Sequence, residues 1–237
     1  MGRILASLMI AFAAFWTPAD EARAQAQPVL VELFTSQGCN SCPPADEYLG
    51  TLADRDDVIA LSMHVDYWDY LGWRDVFASP AHTKRQRAYA ITMAERMVYT
   101  PQIVVQGAEA MVGSHGAKVD DAILRHGAKD PVAVIDLSLR GDRLVADVSS
   151  ETEAGQGRVM MVWFNRAENV AIRAGENRGK EITYHNVVTG WSDLGAFRGG
   201  RIAMTAPKPM DADGVAVFIQ DGAGGPILAA AKLTLAR

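Results

Sequence analysis

Cysteine is scarce in this sequence. There are two in 237 residues, which excludes a disulfide-stapled scaffold and a four-cysteine zinc site. Positive charge is not in excess: 23 lysines and arginines face 28 aspartates and glutamates, and a net charge of -5 leaves no electrostatic footprint for nucleic acid. Beyond residue 26 no uninterrupted apolar run is long enough to span a bilayer, so no stable membrane insertion is expected of that part. Solenoid repeats and low-complexity tracts are missing. Gly222, Gly224 and Gly225 lack the Lys-Ser/Thr continuation of a phosphate-binding loop, and nothing calls for a cofactor. What is present, 49% apolar and 22% charged residues, is ordinary for a folded chain and excludes disorder over most of it.

Residues 1–26 read as an export signal. Arg3 supplies the basic start, Ile4 to Trp16 the apolar core, and Ala22-Arg23-Ala24 or Ala24-Gln25-Ala26 a small-x-small cleavage site. An uncleaved anchor is the alternative. Cleavage would place the protein in the periplasm or outside the cell, where cysteines meet an oxidising environment.

Residues 27–129 have the pattern of an α/β domain. Val29 to Phe34 and Val58 to Val65 are short apolar runs that suit buried strands. Between them Ala45, Tyr48, Leu49, Leu52 and Ala53 mark one face of a helix that opens at Pro43-Pro44. Strand, helix and strand with such short links imply a parallel pair. Ser79-Pro80 starts a second helix, expected to run to about Met97. Ile103–Val105 and Ala110–Val112 suit a hairpin, and Val119, Ala122 and Ile123 a last helix closed by Gly127 as its C′ residue. The order is β-α-β-α-β-β-α. Asp130-Pro131 marks a boundary. Residues 130–237 then read as short strands between turn signals, a β-rich and sandwich-like domain packed beside the first. Arg140-Gly141-Asp142 is read as a hairpin turn.

Both cysteines fall in one C-x-x-C, Cys39-Asn40-Ser41-Cys42, where the first strand hands over to the first helix. The spacing suits a small disulfide ring or two ligands of one metal. A helix N-terminus offers free N–H groups and the positive end of the dipole, both of which favour a thiolate. Cys39 is expected to be the exposed, attacking thiol. Cys42, shielded by Pro43, Pro44 and Tyr48, is expected to resolve the mixed disulfide. An inert structural disulfide is the competing reading, although so small a ring constrains the unfolded chain little. His64 ends the strand parallel to the one feeding Cys39, so it is a candidate proton acceptor, a third metal ligand, or a capping residue. Tyr67, Trp68, Tyr70 and Trp73 suit either an aromatic rim for a partner or core filling. Lys84, Arg85 and Arg87 suit a solvated helix face. Asn177-Arg178-Gly179-Lys180 suits an anion site, a contact with the first half, or a polar loop.

A strand, a C-x-x-C at a helix start, and a proline opening a later strand together resemble the thioredoxin superfamily. The segments VELFTSQGCNSCPPAD, HVDYWDYLGW, RQRAYA, YTPQ and ENRGKEITYHNVV resemble more closely a secreted bacterial family known only as domain of unknown function 1223. The superfamily resemblance implies a thioredoxin-like fold for about residues 28–128. It also implies that Pro101, preceded by Thr100, is cis and faces the cysteine pair. Gly38 stands where thioredoxin has tryptophan, and Asn40-Ser41 stands for its Gly-Pro.

Three functions follow. The first is thiol–disulfide exchange through Cys39 and Cys42 on a protein or small-molecule substrate, with Thr100, Pro101 and His64 in support. The second is binding of a soft metal such as Cu(I) by Cys39, Cys42 and His64. The third is a non-catalytic binding module on a thioredoxin scaffold.

Overall fold

Apolar runs set the centre of the molecule. In the computed structural model, which describes residues 27–152 and 155–235, Val29–Thr35 forms β1 and Val58–His64 forms β2, and every residue of both is buried. A strand covered on both faces needs no polar alternation. The two pair in parallel, from Val29 opposite Val58 to Thr35 opposite His64. Helix α1 (Pro43–Ala53) makes the crossover. The expected signal segment, residues 1–26, lies outside the described residues.

A single 3₁₀ turn at Asp69–Leu71 precedes α2 (Pro80–Thr92), whose Ser79 cap accepts from the Ala81 N–H at 3.2 Å. The helix does not reach Met97. It stops at Thr92, and Ala94 takes a left-handed φ of 53°. Glu95, Arg96 and Met97 are exposed, so a further turn would bury no apolar face. β3 (Gln102–Val105) and β4 (Glu109–Val112) form the hairpin, and β3 lies antiparallel to β1 with Gln102 opposite Phe34. In α3 (Gly116–Gly127) the glycine is the last helical residue, not the one beyond it, and Ala128 caps in a right-handed conformation.

Seven strands follow: β5 (Val134–Arg140), β6 (Arg143–Ser150), β7 (Gly157–Ala171), β8 (Glu181–Phe197), β9 (Gly200–Pro207), β10 (Gly214–Gln220) and β11 (Ile227–Thr234). Gly141, at φ 63°, turns the chain between β5 and β6. The seven divide between two sheets. β7, β8, β10 and β11 join β1 to β4 in one mixed sheet of order β11-β10-β7-β8-β2-β1-β3-β4. The join is β8 lying parallel to β2, Val187 opposite Ser62. β5, β6 and β9 form the second sheet, and Ile135, Leu144 and Val148 pack on Val159, Val215 and Val217 of the first. The sandwich is therefore made by the small sheet and one wing of the large one, and the large sheet runs across the Asp130 boundary.

Side chains alternate across β1 and β2. Val29, Val31, Leu33, Val58 and Ala60 pack with Leu49 of α1 and Ile123 of α3. Leu30, Phe34, Ile59, Leu61 and Met63 pack on the opposite face with Tyr89 of α2.

Candidate functional site

The loop from β1 to α1 carries a disulfide between Cys39 and Cys42, with Cα atoms 5.5 Å apart. Cys42 is the N-cap of α1, and its carbonyl accepts from the N–H groups of Ala45 and Asp46. Pro43 and Pro44 fill the first two helical positions and have no N–H to offer. The free amides expected to stabilise a thiolate are therefore missing, and only the helix dipole remains. Exposure also differs from expectation. Cys39 is 2% exposed and Cys42 0%, so neither sulfur-bearing residue stands out to solvent.

The cover comes from the second half. β7 and β8 are far longer than their apolar cores, and their outer residues pair from Ala167 opposite His185 to Ala171 opposite Glu181. This ribbon leaves the sheet and lies along α1, where Gly50 allows contact: a Cβ there would sit 2.7 Å from the His185 ring. The ribbon's tip reaches the cysteine loop. Asn177, 1% exposed, donates from Nδ2 to the carbonyls of Gln37 (2.9 Å) and Cys39 (2.8 Å). Its Oδ1 accepts from Lys180 Nζ at 2.8 Å, and Glu176 accepts from the Asn40 N–H at 3.4 Å. Of the three readings of Asn177-Arg178-Gly179-Lys180, the contact with the first half is the one formed.

A buried polar cluster adjoins the cysteine loop through Gln37. His64 and Asp75 are both buried, with Nδ1 and Oδ2 2.7 Å apart. Asp75 also accepts from the N–H groups of Gln37 and Phe77. Burial pushes the Asp75 carboxyl up, but His64 and those amides outweigh it and hold the pKa below the usual value. Asp46 lies on α1 four residues after Cys42, a spacing that puts both on one helix face. Burial raises its pKa to about 7, against the pull of His64 and Thr35 and with the help of Asp75. Neither Asp46 oxygen makes a hydrogen bond of good geometry among the described residues, the neighbouring Thr35 hydroxyl included, nor do His64 Nε2 and the Tyr184 hydroxyl. The Tyr184 and Phe77 rings pack edge-on to His64, with centroids 4.7 and 5.2 Å away.

The Thr100–Pro101 peptide is cis. With Gln102 opposite Phe34, Pro101 lies level with Thr35, at the sheet end where the cysteine loop begins. Thr100 Oγ1 accepts from Trp68 Nε1 at 2.8 Å, and a Cβ on Gly38 would stand 3.2 Å from Trp68 Cβ. The aromatic connection is thus mostly structural. Trp73 donates to Gln37 Oε1 and Tyr67 to Gln86, while Tyr70 alone of the four is strongly exposed, at 79%. Tyr48 bonds to Gly116 and Asp120 of α3. Arg85, expected on a solvated face, is an inward ion-pair partner of Glu32 at 2.5 Å. No group of three His, Cys, Asp or Glu side chains suited to a metal ion occurs among the described residues.

Asp46 and Asp75 are absent from the sequence reading. The apolar periodicity of α1 does not include Asp46, although its spacing from Cys42 is a usable signal. Asp75 sits in an irregular connection where no periodicity applies.

A family described as protein of unknown function (DUF1223) matches residues 30–220. Protein AGR_C_4864 from Agrobacterium tumefaciens has a similar structure, with 31% identity and a TM-score of 0.78 over 89% of this chain and 95% of that one. HBP35 of Porphyromonas gingivalis shares the fold at 15% identity, with a TM-score of 0.63 over 89% of this chain and 76% of that one. No curated protein matches.

Proposed function

The chain belongs to the DUF1223 family, and from the geometry of its first loop we propose that it is an exported thiol–disulfide oxidoreductase working through Cys39 and Cys42. The observation that carries this reading is the wholly buried Asp46, with a pKa near 7, four residues along the helix from Cys42. A structural disulfide gains nothing from a costly, poorly hydrogen-bonded acid one helical turn away. An exchanging pair does, because its buried thiol must give up a proton. The order β1-α1-β2-α2-β3-β4-α3, with cis Pro101 at the cysteine end, supports a thioredoxin-like scaffold for this chemistry.

In the reduced protein the Cys39 thiolate attacks a substrate disulfide. A mixed disulfide forms and one substrate thiolate leaves. Cys42 then passes its proton to the Asp46 carboxylate and attacks the Cys39 sulfur. The Cys39–Cys42 bond closes and the second substrate sulfur leaves as a thiolate. Run in reverse, the same steps oxidise a substrate dithiol. In this reading His64, paired to Asp75, sets the field around Asp46 and is not itself the base.

Incubating Cys42→Ser with oxidised glutathione tests the reading. A stable mixed disulfide should form at Cys39, and little should form at Cys42 in Cys39→Ser. Equal adducts at both positions, or none, would refute the assignment.

A further inference from the structure

Thiol exchange gives no task to the RQRAYA segment, which places Arg85 and Tyr89 on the sheet face opposite α1. Arg85 donates from Nε and Nη2 to Glu32 (2.5 and 2.9 Å), from Nη2 to Tyr89 (2.7 Å) and from Nη1 to Gln220 (2.8 Å). Tyr89 donates to Glu32 at 2.5 Å. The guanidinium lies 5.1 Å from the ring centroids of both Trp191 and Phe218. Glu32 neutralises Arg85 from behind.

In front of this network is a cavity of about 490 Å³. Ala81 and Ala88 of α2, Met160, Trp191 and the Gly222–Gly224 turn give it apolar walls. The turn packs tightly on α2, for a Cβ at Gly224 would come within 2.4 Å of the Ala88 backbone. The charges at the rim do not cancel. Asp193 is paired with Arg158, whereas the Lys84 ammonium has no partner among the described residues. The cavity therefore combines a flat aromatic wall with one uncompensated positive charge.

We infer that this cavity binds a small carboxylate with a flat apolar body, the ring against Trp191 and the carboxylate at Lys84. Small-ligand sites are built of largely apolar walls with polar groups at few, fixed places, here the Lys84 ammonium, and the inference stands apart from the cysteine chemistry.

The test is calorimetric titration of the oxidised protein with 2-naphthoate. One saturable site is expected. Affinity should fall about tenfold or more in Lys84→Glu, and by a similar factor for the uncharged 2-naphthylmethanol. Ala81→Trp, a change at an exposed position on the cavity wall, should abolish binding, while Cys39→Ser/Cys42→Ser should bind as the parent does. No saturation by about 1 mM would overturn the inference. So would an affinity unchanged in both Lys84→Glu and Ala81→Trp, or binding lost with the cysteines.

Discussion

The two faces of β1 and β2 each carry buried charge, and they treat it differently. On the α2 face Glu32, Arg85, Tyr89 and Gln220 bond to one another, each in several ways. On the α1 face Asp46 is buried with neither carboxyl oxygen in a hydrogen bond of good geometry, beside an unpaired His64 Nε2 and Tyr184 hydroxyl. A saturated network holds a structure in place. An unsaturated one costs stability and persists where a proton has to move. The same two strands thus present a saturated polar face and an unsaturated one, separated by the alternation of their side chains.

The contrast breaks most visibly at Glu32. Removing it in Glu32→Ala leaves the Arg85 guanidinium buried without its counter-charge, and unfolding in denaturant should show a loss of about 3–5 kcal/mol. The α1 face should respond to pH instead. The Asp46 carboxyl rises from 3.8 to about 7 on folding, so the folded state holds that proton more tightly than the unfolded chain. Its stabilising effect is complete below pH 3.8 and is lost as pH rises towards 7, by about 4 kcal/mol at most. Asp46→Asn should remove this decline, gaining on the parent as pH rises, while slowing thiol exchange. Asp75, held below 3.8 in the folded state, has the opposite sign. Asp75→Asn should cost most at neutral pH, and the difference should shrink as pH falls through the Asp75 pKa. Melting curves from about pH 2 to pH 8 check both variants, the Asp46 effect above pH 3.8 and the Asp75 effect below it. Smaller still is Asn177→Ala, which deprives the buried Gln37 and Cys39 carbonyls of their donor. It should cost about 1–3 kcal/mol and speed reduction of the disulfide by dithiothreitol, since the ribbon tip no longer holds the loop.

Strands and their order were legible because burial on one or two faces writes a period into the sequence. The parallel β1–β2 pair and the β3–β4 hairpin follow from it, and even β7 and β8 are marked at their apolar cores. Their full length was not, because Asn165–Ala171 and Thr189–Phe197 are mostly polar or half-exposed and alternate irregularly. Nor was the shared sheet, since Val187 pairs with Ser62 across 125 positions and no local pattern specifies that partner. At the site, Cys39 and Cys42 announced themselves by spacing, as did the cis Pro101 by resemblance. Asp46 did not, for an acid in an amphipathic helix is read as solvated until its neighbours are known. Arg85 and Gln86 were hidden for the same reason: the inner face of α2 is polar, so hydrophobic periodicity cannot find it.

The central claim is that Cys39 and Cys42 form a reversible pair backed by a proton acceptor. Equilibration of the native protein in glutathione buffers of graded potential, with thiol trapping at each point, tests it directly. A cooperative two-electron transition while the protein remains folded, and a slower approach to equilibrium in Asp46→Asn, are the predicted results. A disulfide that stays closed across the whole range until the protein is unfolded would contradict the account and leave the bond a structural one.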